Sequence, residues 1–116
     1  MRSLNFQLMN ALNIAMAPQS AIVWSPNLFR VSVQCVFTGS SPDGSIQLQG
    51  SNDCTTSNPN SFTPTNWSNI GSSVSVSGTG IYLIPEQEIC YEYVWLIYTQ
   101  VSGTGTITAR LKALGA

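Results

Sequence analysis

The stretch that decides the fold is CYEYVWLIYTQVSGTGTITARLKALGA, residues 90–116. Aromatic and β-branched residues, which favour strands, fill most of positions 91–98. Positions 107–113 alternate strictly between apolar and polar side chains, the pattern of a strand with one buried face. The Ser-Gly-Thr-Gly sequence at 102–105 separates the two parts and is typical of a turn. The stretch is therefore predicted to be a β-hairpin.

The first arm of this predicted hairpin is apolar on both faces. Tyr93 and Val94 are neighbours, so their side chains point to opposite sides of a strand. One side can pack on a core, whereas the other side remains available to a partner. Tyr93 and Trp95 share a face, and aromatic side chains often anchor protein interfaces. Both are therefore candidate interface residues.

The same kind of alternation recurs upstream. It places five apolar side chains of the 29–37 run on one face: Phe29, Val31, Val33, Cys35 and Phe37. The Gly- and Pro-containing cluster at 39–44 then leads into a shorter alternating run at 45–49, which predicts a second hairpin. With further runs downstream, the chain contains about seven to nine short strand signals and no long helical one. The predicted fold is all-β: an antiparallel, jelly-roll-like β-sandwich.

A length of 116 residues fits a single domain. We expect residues 1–20 to form an N-terminal arm or first strand, and residues 21–116 to form the β-sandwich domain. The segment could add a strand to a neighbouring subunit or belong to its own sheet. Its apolar residues Leu8 and Leu12 are candidate interface residues. No run approaches the roughly eighteen apolar residues that span a bilayer, so no membrane partner is predicted.

The composition is poor in charge. Charged residues make up 8% of the chain, against about 25% in ordinary soluble domains. A surface built from Ser, Thr, Asn and Gln loses little solvation when another protein covers it, which favours shells, fibres and adhesion modules. The chain has only four basic residues and a net charge of −1, too little to follow a phosphate backbone. Direct binding of nucleic acid is therefore not expected.

The sequence also argues against a catalytic function. It contains no histidine, which excludes the Ser-His-Asp and Cys-His arrangements of nucleophilic enzymes. Glu86 and Glu88 are expected to be solvated, and Asp53 is a single carboxylate in a polar loop, too few oxygens for calcium. We predict no enzyme activity, no cofactor and no metal.

Three cysteines cannot all pair within one chain. Cys35 lies on an apolar strand face and is predicted to be a buried thiol. Cys54 lies in the polar loop and is the most exposed to reaction, and Cys90 precedes the final strands. All three are predicted to be reduced.

Four sequence blocks taken in order are more specific than any one alone. They are VSVQCVFTG at 31–39, GSIQLQGSND at 44–53, YEYVWLIYT at 91–99 and SGTGTITA at 102–109. In this order they resemble a family of small all-β virion structural proteins of tailed bacteriophages. The resemblance covers roughly residues 25–115, and its motifs are structural.

The resemblance implies a head decoration, cement or fibre-base subunit, present in many copies in the virion. Its expected partners are the major capsid protein or other virion proteins and further copies of itself. The chain departs from the pattern at Glu92 and Trp95, where a basic residue is common in such proteins. Two alternatives stay open: a carbohydrate-binding adhesion module that stacks sugars on Trp24, Trp67 or Trp95, and a tail or head–tail connector component. Trp24 is a candidate interface residue in either setting.

Overall fold

The computed structural model describes residues 2–16, 20–25, 28–53 and 63–115. The predictions for Cys54 lie outside these residues. The described residues form six strands and no helix: β1 (Arg2–Asn13), β2 (Val23–Trp24), β3 (Leu28–Ser51), β4 (Ser68–Ser77), β5 (Gly80–Glu88) and β6 (Tyr93–Gly115). Every pairing between them is antiparallel. The all-β, antiparallel prediction is confirmed.

Two long strands organise the fold. β3 has 24 residues and β6 has 23, and they pair along their whole lengths, from Leu28 opposite Gly115 to Ser51 opposite Tyr93. Both predicted hairpins are therefore wrong, because neither 39–44 nor 102–105 reverses the chain. The two turn-like sequences lie opposite each other instead, and together they bend the paired strands.

The bend depends on an irregular register and on glycine. Extra residues on each strand shift the register between Ser40 and Gly44 of β3. Gly39 and Gly105 face each other with φ angles of 114° and 139°, values that a side chain makes unfavourable. A Cβ atom on Gly105 would overlap the carbonyl oxygen of Thr38. The two strands can therefore approach closely at the bend only because these positions lack side chains.

The bend folds the ribbon of β3 and β6 back on itself. A straight strand of this length would extend about 80 Å, whereas the longest dimension of the molecule is 43 Å. The rings of Phe37 and Tyr98 lie 5.2 Å apart, although Tyr98 pairs with Ile46, far beyond Phe37 along β3. The single sheet thus folds into two layers that face each other across a core, a sandwich-like domain.

Each layer contains a part of both long strands. One layer, called the basic layer because it carries Arg30, Arg110 and Lys112, consists of β1, residues 104–115 of β6, residues 28–38 of β3, and β5, in that order across the sheet. The other, called the aromatic layer because it carries Trp24, Tyr93 and Trp95, consists of β2, residues 93–102 of β6, residues 43–51 of β3, and β4. The edge strands of the described sheet are therefore β1 and β5 in one layer and β2 and β4 in the other.

The core lies between the layers and contains the side chains that alternation assigned to it. Eight of these are almost fully buried: Val31, Val33, Cys35, Phe37, Ile107, Ala109, Leu111 and Ala113. Phe29 is an exception, since it is 38% exposed. The register shifts between Leu28 and Arg30, which takes Phe29 out of the alternation, so its predicted inward position is wrong.

The N-terminal segment lies along its own domain. β1 pairs with β6 from Arg2 opposite Gly115 to Asn13 opposite Thr106. The backbone N–H of Ala21 donates to the carbonyl of Leu8 at 3.3 Å. Of the two readings left open by the sequence, the structure shows residues 2–13 as an edge strand of the chain's own sheet.

Candidate interaction surfaces

The outer face of the aromatic layer is closed by a tryptophan stack. Trp67, just before β4, lies parallel to Trp95 of β6, with ring centroids 4.0 Å apart and an interplanar angle of 10°. The Trp67 indole N–H donates to the carbonyl of Pro64 at 3.2 Å, which fixes its ring. Only 9% of Trp95 remains exposed.

Amide side chains on the same face are bonded to the chain itself. Gln49 accepts a hydrogen bond from the indole N–H of Trp95 at 2.9 Å and donates one to Asn69 Oδ1 at 2.9 Å. Gln47 donates through Nε2 to the carbonyls of Leu48, at 2.9 Å, and Ile70, at 3.1 Å. These contacts satisfy polar groups that would otherwise bind water or a ligand.

Asp53 holds the segment that carries Trp67. Its Oδ2 atom accepts hydrogen bonds from the backbone N–H of Thr65 at 3.0 Å, the Thr65 hydroxyl at 3.1 Å and the Asn66 amide at 3.3 Å. These bonds, those of Thr65 first, lower the pKa of the Asp53 carboxyl, because they stabilise its charged form. Asp53 thus has a structural role in closing the aromatic face.

The predicted interface residues divide into two groups. Tyr93 is 1% exposed, Trp95 is 9% exposed and Leu8 is 4% exposed, so these three do not offer side-chain surface to a partner. Trp24 and Leu12 are 43% and 41% exposed. The Trp24 indole N–H donates to the carboxylate of Glu92 at 2.8 Å, beside β6. A sugar platform on Trp95 is also unavailable, because Trp67 stacks on it.

The outer face of the basic layer is open. Arg110 and Lys112 of β6 point outward from its centre, and their side chains make no hydrogen bond or ion pair within the described ranges 2–16, 20–25, 28–53 and 63–115. Arg30, on the same layer, pairs with Glu86 at 2.9 Å and with Glu88 at 3.8 Å. The alternation at 107–113 predicted the outward position of Arg110 and Lys112.

An apolar strip lies at the edge of this face. Ile81 and Leu83 of β5 are 64% and 59% exposed and are opposite Val36 and Gln34 of β3. Sequence reasoning missed them, because the run Ile81-Tyr-Leu-Ile84 is apolar at every position and does not reveal which residues face outward. The buried neighbour Ile84, in contrast, faces the core.

A concave region lies at the end of the molecule opposite the bend. Both ends of β3 meet there, and the cavity has a volume of about 390 Å³. It is lined by Ser25, Leu28, Phe29, Asn52, Ile89, Cys90, Tyr91 and Glu92. Cys90 is an exposed free thiol, whereas burial raises the pKa of the Cys35 thiol to about 12 and keeps it protonated. The predicted burial of Cys35 is confirmed.

The described residues contain no group of three side chains suited to holding a metal ion. Nor do they include a helix that is long and apolar enough to cross a membrane. Comparison with known proteins adds no identity: no protein-family model matches the chain, and no curated protein matches it significantly in sequence. Membership of a phage virion family stays a prediction drawn from the sequence blocks.

Proposed function

We propose that this chain is a non-enzymatic structural subunit of a tailed-phage virion, a head decoration, cement or fibre-base protein. It works by packing against other virion proteins and against its own copies. The proposal rests on one structural observation, the free apolar edge at β5, together with the composition and the sequence resemblance. The lack of histidine supports a role without catalysis.

The first half of β5 has the features of a pairing edge. Among the described residues it pairs with β3 alone, on one side, and residues 80–84 carry no charge. Ile81 and Leu83 add exposed apolar surface there. An uncharged apolar edge strand offers unpaired backbone groups to another chain, and natural proteins usually blunt such edges.

The second half of β5 has features that protect an edge strand from pairing with another chain. Pro85 lacks a backbone N–H, and Glu86 and Glu88 are exposed carboxylates. The contrast within one strand limits the pairing region to residues 80–84. A neighbour bound there would cover Ile81 and Leu83 at the edge of the basic layer, whereas Arg110 and Lys112 lie two strands further in, on β6.

Low charge over the rest of the surface suits assembly in many copies. The chain has four basic and five acidic residues, so copies repel one another weakly. Repetition over a symmetric shell raises the overall affinity even when each contact is weak. Weak contacts at each β5 edge would therefore be enough to hold many copies together in a shell.

Sedimentation velocity tests the edge contact directly. We expect the wild-type chain to self-associate with rising concentration, and the Ile81→Lys/Leu83→Lys variant to sediment as a monomer. Val101→Lys is the matched control, because Val101 is 73% exposed but belongs to β6. A wild-type monomer at every concentration, or an associating β5 variant, would contradict the edge contact.

The virion assignment needs a separate measurement. Particles purified from the source on a density gradient should contain this chain at a fixed ratio to the major shell protein, measured by quantitative mass spectrometry. Particles that lack the chain should release their genome at a lower temperature. Recovery of the chain only outside the particles would overturn the assignment.

A further inference from the structure

The centre of the basic layer's outer face carries two cations without an acidic partner. Arg110 and Lys112 are two residues apart on β6, so their side chains share a face about 7 Å apart. The acids of this layer, Glu86 and Glu88, pair with Arg30 instead. Among the described residues neither cation is therefore held in an ion pair, although Glu86 and Lys112 border a common cavity on the Arg30 side.

Polar side chains surround the cations on the neighbouring strands. Gln7 of β1 and Gln34 of β3 lie opposite Arg110, and Asn5 of β1 and Ser32 of β3 lie opposite Lys112. Within the part of the chain that the structure describes, these side chains make no hydrogen bond. Amides at comparable positions of the aromatic layer, such as Gln49, are bonded on both sides.

These residues enclose a concave site. A cavity of about 240 Å³ is bounded by Asn5, Ser32, Val33, Gln34, Leu83, Arg110 and Lys112. Leu83 gives one edge an exposed apolar wall. The site thus combines two positive charges, several groups that both donate and accept hydrogen bonds, and one apolar surface.

We propose that this site binds an acidic sugar, with its carboxylate at Arg110 and Lys112. A guanidinium group matches a carboxylate with two parallel hydrogen bonds. Sugar hydroxyls both donate and accept, as do Gln34, Asn5 and the Ser32 hydroxyl. The C–H face of the ring would rest on Leu83. An acidic peptide would use the cations as well, but each of its residues offers one backbone donor and one acceptor, whereas a sugar ring presents several hydroxyls that both donate and accept within the width of the site.

This site borders the proposed packing edge, because Leu83 belongs to both. A neighbour seated on Leu83 would cover the apolar wall of the site, whereas Arg110 and Lys112 lie two strands away on β6. The site also differs from a tryptophan platform, since it requires no aromatic ring. Its specificity would come from charge and hydroxyl contacts together.

A titration followed by ¹H–¹⁵N correlation spectra tests the proposal. Glucuronate should shift the amide signals of residues 32–34 and 110–112 saturably, whereas glucose at equal concentration should leave them unchanged. Arg110→Gln should weaken glucuronate binding by about tenfold or more, because a charge-assisted bond is lost. Arg30→Gln, the matched control, changes a cation that already has acidic partners and should keep wild-type affinity.

Four outcomes would overturn the proposal. They are the absence of saturable shifts with glucuronate, equal binding of glucose, unchanged affinity of the Arg110→Gln variant, and equal binding of the acidic peptide Gly-Glu-Gly. The last result would assign the site to carboxylates on proteins. The spectra also report folding of each variant, so loss of binding is distinguished from loss of structure.

Discussion

The two outer faces of this sandwich are built from the same two strands, yet they treat their polar side chains differently. On the aromatic layer, Gln47 and Gln49 bond to the chain itself, beneath or beside the stacked tryptophans. On the basic layer, Gln34 and Arg110 make no such bonds with the described residues. Polar residues on a strand therefore do not by themselves make an open surface. Whether the surface is open depends on which other segments of the chain cover it.

The comparison locates where partners can bind. At the centre of the aromatic layer the chain itself already uses the rings of Trp67 and Trp95 and the amides of Gln47 and Gln49, and the exposed Trp24 lies at the edge. The open face keeps both charges and amides available, and the exposed Ile81 and Leu83 lie at its edge. Variants of the bend, of the bonded amides and of Asp53 each test a different part of this contrast.

The largest effect is expected at the bend that separates the two faces. Gly105→Ala would place a Cβ atom against the carbonyl oxygen of Thr38, at a φ of 139°. Backbone strain alone costs about 1–3 kcal/mol, and the overlap adds to it. We expect a loss of more than about 3 kcal/mol in the free energy of unfolding, measured by urea denaturation.

Gly78→Ala is the control for this prediction. Gly78 also has a positive φ, 90°, but a Cβ atom there would meet nothing within 4 Å. Its expected cost is about 1–2 kcal/mol, from backbone strain alone. Equal losses in the two variants would show that close approach at the bend is not what fixes the fold.

A smaller effect should separate the two faces directly. Gln49→Leu leaves the indole N–H of the buried Trp95 without its acceptor, at a cost of about 1–3 kcal/mol in unfolding free energy. Gln34→Leu makes the same change at an unbonded, exposed position and should stay within about 0.5 kcal/mol of wild type. Urea denaturation measures both. Similar losses at the two positions would remove the distinction between a closed and an open face.

The smallest effect should depend on pH. Asp53→Asn removes the charge that strengthens the bonds from Thr65 and Asn66, so the melting temperature at pH 7 should fall slightly. Because the folded-state pKa of Asp53 lies below its ordinary value of 3.8, its contribution is present above that value. It is lost as the pH falls through the folded-state pKa, where the wild type is protonated too.

Thermal melts of both proteins between pH 7 and pH 2 check this dependence. Glu88→Gln on the basic layer is the control, since Glu88 is an exposed partner of Arg30 at 3.8 Å and contributes little. A difference between wild type and Asp53→Asn that stays constant to the lowest pH would contradict a role for the carboxylate charge.

The sequence predicted local features of the fold well. Alternation identified the buried faces at 31–37 and 107–113, because a period of two depends only on neighbouring residues. It did not predict the long ribbon, because a glycine-containing segment can reverse a chain or bend it. Which of these occurs depends on Gly39 meeting Gly105, and that pairing joins distant parts of the sequence.

The candidate site was harder to predict for the same reason. Trp95 was expected to face a partner because its strand is apolar on both sides, but the second side is covered by Trp67 from a distant segment. At Ile81 and Leu83 the opposite holds, since a uniformly apolar run gives no local sign of its exposed side. Contacts between distant segments decide both cases.

The pairing of Leu28 with Gly115 has a kinetic consequence. The basic layer lacks one of its central strands until residues 104–115 of β6 are present. Contacts this distant in sequence are slow to form, since a long loop must close before they are made. During synthesis the basic layer can therefore be completed only after the end of β6 has left the ribosome, later than the aromatic layer, which needs β6 only up to residue 102.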